Sequence, residues 1–102
     1  MYAVEFTESA ESDLDSITDY LSLHLCNPPA AKALLDELEG VIEHLSDTPE
    51  MFPLCADSRL ADMGYRKAGI KAYLAVYEID EDDAAVRILR FFHESEDYVN
   101  KL

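Results

Sequence analysis

Basic residues are scarce: eight Lys and Arg stand against 22 Asp and Glu, for a net charge of −14. Nucleic-acid binding depends on Lys and Arg neutralising phosphates, so a general nucleic-acid binder is disfavoured. A small local basic site stays open. Cysteine is scarce too. Cys26 and Cys55 are isolated, with no CxxC pair and no histidine partner at ligand spacing. A disulfide framework or zinc site is therefore not expected, and both read as reduced, partly buried thiols of a cytosolic protein. No uncharged apolar run approaches the ~20 residues that a membrane helix needs. The opening MYAVEFTESAE lacks the basic region and apolar core of an export signal, which again points to the cytoplasm. Internal repeats, linkers and low-complexity tracts are absent, and no pattern calls for a metal or another cofactor.

What is present suits one folded domain over residues 1–102. About half the residues are apolar (49%), enough for a core at this length despite the charge. Ala3–Phe6 reads as a short strand. Thr7 is placed to cap a helix, with Glu8 and Glu11 in its first turn where the helix dipole favours acids. Ala10, Leu14, Ile17, Leu21 and Leu25 then recur at steps of three and four, drawing one apolar stripe. Asp13, Asp15, Ser16 and Asp19 lie off it and read as a solvated face. Asn27-Pro28-Pro29 separates this helix from a second one. Its stripe is Ala31, Leu34, Leu35, Leu38, Val41, Ile42 and Leu45, so an antiparallel helical hairpin is expected. Gly40 within it suggests a close helix–helix approach. Asp47-Thr48-Pro49 ends the second helix. Residues 50–64 read as irregular, with Met51, Phe52 and Leu54 under the sheet edge.

The stretch Tyr65–Tyr98 reads as three strands. Ala72–Ile79 alternates, with Tyr73, Ala75, Tyr77 and Ile79 on one face and Leu74 and Val76 on the other. Asp80-Glu81-Asp82-Asp83 is a charged hairpin tip. In Val86–His93, strict alternation puts Val86, Ile88, Arg90 and Phe92 on one side and Arg87, Leu89, Phe91 and His93 on the other. A strand apolar on both sides belongs in the middle of a sheet. Glu94–Leu102 reads as a closing helical turn. The expected fold is α+β, ordered β-α-α-β-β-β, with the hairpin on one face of a mostly antiparallel four-stranded sheet.

Charge is distributed unevenly. Residues 1–56 carry 12 acids and one base, Lys32, whereas residues 57–102 carry 10 acids and seven bases. Arg59, Arg66, Lys67, Lys71 and Arg87 are therefore the candidate partner-binding residues.

The opening strand followed by FTESAESDLDSITDYL, the helix AAKALLDELEGVIEHLSDTPEMFP, then GYRKAGIKAYLAVYEID and VRILRFFHESEDY resemble the RelE/ParE toxin superfamily of bacterial type II toxin–antitoxin modules. The long hairpin looks more like the ParE branch, whose known members poison DNA gyrase, than the RelE branch, which cuts mRNA on the ribosome. The resemblance implies a cognate antitoxin as partner, with gyrase or the ribosome and its mRNA as target, and leaves a homodimer open. Cleavage in the RelE branch relies on a base just before the VY pair of the third strand and on others after the last strand. Leu74 and Glu94-Ser95-Glu96 stand at those places here, so positive charge to stabilise a pentavalent phosphate is lacking. If the chain is nevertheless a ribonuclease, Arg66, Arg90, His93 and Tyr98 are the catalytic candidates. Their plainer readings are an Arg90 paired with Glu78 or Asp97, a His93 bonded to Asp97 or backbone, and a Tyr98 packed on the sheet. A degenerate, non-toxic relative is a third reading.

Overall fold

The computed structural model describes residues 1–102. Strand β1 (Ala3–Phe6) leads into helix α1 (Glu8–Asp19), whose N-terminus Thr7 caps by accepting from the Ala10 amide at 3.1 Å. The helix does not run on as a regular stripe. Tyr20–His24 widens into a π-helical turn, with the Leu25 amide bonding back to the Tyr20 carbonyl. The extra residue in that turn rotates the succeeding side chains out of phase. Leu21 still packs on the core, but Leu25, expected on the stripe, is exposed. Helix α2 (Pro28–Asp47) starts at Asn27, whose side chain accepts from the Ala30 amide, with proline in its first turn. Ala31, Leu34, Leu38, Val41 and Leu45 are buried, whereas Leu35 turns outward. Gly40 marks no close approach, since a side chain there would meet open space.

Residues 50–64 are more ordered than their sequence suggests. Asp57 caps a short helix α3 (Ser58–Asp62) through the Leu60 amide. The buried residues of this segment are Cys55 and Leu60 rather than Met51 and Leu54, which are exposed; Phe52 is half-buried and meets Tyr77 edge-on. Strands β2 (Arg66–Ile70), β3 (Tyr73–Asp80) and β4 (Ala85–His93) come next, and a 3-10 turn at Tyr98–Lys101 closes the chain. The sheet order is β1-β4-β3-β2, parallel between β1 and β4 and antiparallel elsewhere. The expected α+β architecture is thus present, with β4 inside the sheet.

One irregularity decides which β4 side chains face which way. Val76 pairs with Arg90 but Tyr77 pairs with Ile88, so Leu89 is an extra residue in β4. Such a bulge inverts the alternation beyond it. Val86, Ile88 and Phe91 therefore share the helical face, and Leu89 and Phe92 the opposite one, contrary to strict alternation.

Two apolar clusters result. The larger joins Ala10 and the α2 stripe to Ala68, Ile70, Ala75, Tyr77, Val86, Ile88 and Phe91. The smaller, on the far face, joins Cys55, Leu60, Leu74, Val76 and Phe92 under Tyr65, Tyr98 and Val99.

Replacing fully buried Ile88 by alanine should cost about 2–5 kcal/mol, whereas Leu25→Ala should cost less than ~0.5 kcal/mol; urea melts of both check this. Tyr77 is buried, donates to the Pro49 carbonyl at 2.7 Å, and has its pKa pushed up to about 12, chiefly by burial. Its unfolded phenol titrates near ~10. The raised folded value makes its contribution complete below pH ~10 and lost as pH climbs from there through 12. Tyr77→Phe should lower stability by about 1 kcal/mol near neutrality and flatten this alkaline loss; urea melts at neutral and alkaline pH read both effects.

Candidate functional site

Strand β1 ends at Phe6, opposite Ile88, so β4 beyond that point has no neighbouring strand on this edge. Its backbone groups are met by the start of α1 instead. The Thr7 hydroxyl donates to the Leu89 carbonyl at 2.7 Å, and the Phe91 amide donates to Asp13 Oδ2 at 3.0 Å. The same carboxylate takes both Arg90 Nε and Nη2, at 2.6 and 3.1 Å. Arg90 therefore pairs with Asp13, not with Glu78 or Asp97, and Asp13 is a half-buried anchor rather than part of a solvated face. The fork geometry matches guanidinium to carboxylate, the strongest kind of ionic hydrogen bond. The Asp13 carboxylate raises the Arg90 pKa further, which leaves this group a fixed cation and no proton donor.

The other candidate bases are engaged as well. Arg66 donates to the Phe52 carbonyl at 2.7 Å, tying the 50–54 segment to β2. Lys67 lies over the Tyr98 ring, 5.5 Å from its centre, and Arg59 donates to the Val99 carbonyl at 2.8 Å. Together they pin the C-terminal turn to the far face of the sheet. Arg87 sits among Glu5, Glu78 and Asp80 at 3.6–3.7 Å. Asp80 is held below the usual carboxylate range, first by the Asp83 amide and then by Arg87, so the acidic hairpin tip is internally bonded. Lys71 differs: its side chain has no hydrogen-bond, ion-pair or ring partner, while its backbone, at a φ of 58°, turns the chain from β2 to β3.

His93 accepts at Nδ1 from the Ser95 amide at 3.1 Å, with the Ser95 hydroxyl 2.7 Å away. Its backbone amide donates to Glu96, which also receives Lys101; the Lys101 ammonium first, then the His93 amide, hold this carboxyl below its ordinary range. Of the two expected partners, Asp97 or backbone, His93 takes backbone, through the Ser95 amide. Tyr98 does pack on the sheet, 6.0 Å from the Phe92 ring.

Arg66, Arg90, His93 and Tyr98 do not converge. Arg66 pairs with Tyr77 from one side of β3 and His93 with Tyr73 from the other, four residues earlier, so they are offset by roughly 13 Å along the strands and by two strand spacings across them. Arg90, clamped by Asp13, lies over the Phe92 ring 5.0 Å from its centre, and Tyr98 packs on the same ring at 6.0 Å, so these two meet on the far face while Arg66 and His93 stand apart from them. Leu74, where the resemblance calls for a base, is buried in the smaller cluster beside Phe92. Nor do the five partner-binding candidates form one patch: Lys67 and Arg59 hold the C-terminal turn, Arg87 lies near β1, and Lys71 is at the β2–β3 turn.

The sequence reading missed an open apolar trough of about 580 Å³ between the π-helical turn and the β2–β3 turn, lined by Ile17, Tyr20, Leu21, Leu25, Tyr73 and His93 among others. Its only sequence signal is the closely set Tyr20, Leu21, Leu23 and Leu25, too many for one buried stripe.

The fold corresponds to that of known proteins. The family model for the ParE toxin of the type II toxin–antitoxin system parDE matches residues 4–98. The chain belongs to the ParE toxin family, within the RelE/ParE superfamily. Among solved structures, the chromosomal ParDE system from P. aeruginosa is similar at a TM-score of 0.70 and 18% identity, over 91% of this chain and 96% of that one. The RelBE2 toxin–antitoxin complex from Mycobacterium tuberculosis matches at 0.63 and 25% identity, over 93% of both chains. The intact E. coli RelBE toxin–antitoxin complex matches at 0.64 and 12% identity, over 94% of this chain and 100% of that one. No curated protein sequence matches significantly. No helix is long and apolar enough to cross a membrane.

Asp13→Ala should cost roughly 2–4 kcal/mol, because it strands a half-buried guanidinium and the Phe91 amide together. Arg90→Met, which removes the charge but keeps the stem, should cost less. Thermal melts of the two variants check the order.

Proposed function

We propose that the chain is a single toxin domain that inhibits growth by binding a macromolecular target of the gyrase kind, and that a cognate antitoxin neutralises it. Family membership supports the toxin assignment. The observation that carries the mechanism is Leu74, buried beside Phe92 and beneath the C-terminal turn where a cleaving relative would present a base. Phosphoryl transfer in RNA needs positive charge or strong donors at the developing pentavalent phosphate. Glu94 and Glu96 bring negative charge to that end of the sheet instead. Arg90 is neutralised by Asp13, and the Arg66 guanidinium is occupied by backbone carbonyls.

The net charge of −14 shapes the partner. An acidic antitoxin segment would meet like charge, so the antitoxin contacts this chain through apolar groups, basic groups or both. The endoribonuclease reading makes the opposite demand, that a negatively charged message approach an acidic surface whose cations, Lys71 apart, are already engaged.

Induction in a bacterial host separates the two. The expected outcome is growth arrest relieved by the antitoxin, with gyrase-linked DNA damage and no new cleavage within codons by primer extension. Cleavage that disappears in Arg90→Met and His93→Ala would overturn the binding mechanism. Normal growth with soluble protein present would overturn the toxin reading.

A further inference from the structure

The trough beside the π-helical turn continues into a second hollow of about 300 Å³ under the β2–β3 turn, since the two share Leu21, Ala72 and Tyr73. Sites for small molecules fall in this size range, roughly 300–1,000 Å³, and are mostly apolar with a few polar groups. The two ends of this one differ in chemistry.

At the first end aromatic rings gather. Tyr73 meets His93 edge-on, with centres 5.2 Å apart and planes at 89°, and Tyr20 is steadied by His24 at 5.8 Å. Tyr20, Tyr73 and His93 all line the trough. His93 accepts the Ser95 amide at Nδ1, so the ring keeps that nitrogen unprotonated and offers a neutral π face. Acidic groups stand beside these rings. The Tyr73 phenol has its pKa raised first by burial, then by the charges of Tyr20 and Glu96 nearby. The Glu94 amide bonds the Ala72 carbonyl at 2.8 Å, which sets a second acid at this wall. Glu96 shares its charge with Lys101, whereas Glu94 is exposed and enters no ion pair. The second end is aliphatic, formed by Leu21, Ala30, Ala33 and Leu34, with Lys71 at its edge.

We propose that the trough binds a small organic cation of the alkylammonium class, an unbranched hydrocarbon chain ending in an ammonium group. The head lies among the Tyr20, Tyr73 and His93 rings, whose faces attract cations, with Glu94 supplying the opposite charge. The chain runs past Leu21 into the hollow of Ala33 and Leu34. Lys71 fixes this polarity, because the reverse orientation would set two cations together. A fatty carboxylate would have to place its head at Lys71, where Glu37 already holds the backbone amide at 2.6 Å, against a net charge of −14. A second copy of this chain would set −14 against −14. The assignment rests on the groups that line the trough and is independent of the toxin reading.

Octyltrimethylammonium, kept below its micelle concentration, is the probe, with octanoate and tetramethylammonium as controls for chain and head. Titration into isotope-labelled protein should shift the amide resonances of Tyr20, Leu25, Ala72, Tyr73 and His93 to saturation. The probe should bind at least about tenfold more tightly than either control. Tyr20→Leu and Glu94→Gln alter exposed side chains, so the fold is retained, as thermal melts would verify. Each should weaken binding about threefold, and the pair about tenfold. Equal binding of octanoate would show an unselective apolar surface and overturn the proposal. Equal binding of tetramethylammonium, or shifts spread over the acidic tip Glu81–Asp83, would reduce it to general counterion attraction. Unchanged affinity in Tyr20→Leu would remove the aromatic head site, and absence of saturable binding would remove the site altogether. A wild-type dimer that Leu25→Asp dissociates would assign the trough to a second copy and likewise overturn it.

Discussion

Strand β4 extends past the end of its parallel neighbour, and the backbone groups this exposes have to be satisfied. Helix α1 does so with two side chains from its first two turns, the Thr7 hydroxyl and the Asp13 carboxylate. This contact sets where α1 lies on the sheet edge, and thereby where the hairpin and its π-helical end come to rest. Arg90 reinforces it by neutralising the carboxylate. An unpaired buried amide or guanidinium costs far more than a formed bond returns, so the three-way contact acts as a single constraint.

The bulge at Leu89 lies in the same stretch. By adding one residue it sends Phe91 to the helical core and Phe92 to the far-face cluster, so β4 serves two apolar layers at once. The far-face cluster is closed by α3 and the C-terminal turn, held by Arg59 and Lys67. These cations stabilise the fold, and little positive charge is left for a phosphate. That allocation links the packing of a small acidic domain to the proposal that this toxin works by contact instead of cleavage.

Where β3 begins and β4 ends, beside Tyr73 and His93, apolar surface stays uncovered. Acids crowd the hairpin, and their mutual repulsion disfavours self-association through it.

The two long helices, the strand order along the chain, the alternating faces of β3 and the central place of β4 were legible from periodicity, capping residues and turn residues, whereas the short helix Ser58–Asp62 was not. The Leu74 substitution was visible too, once the resemblance had located it. All of these are encoded by neighbours within a few residues. The Asp13–Arg90 pair, the bulge, the outward turn of Leu25 and the trough were not. Each depends on which backbone groups remain unpaired when distant segments meet, and the separation of 77 positions between Asp13 and Arg90 leaves no local pattern to read. The chain by itself determined what is apolar, what is charged and where elements begin, because those are properties of single residues and short spacings. Only the tertiary structure decided which charges cancel and which apolar groups stay in water, because both depend on contacts made across the fold.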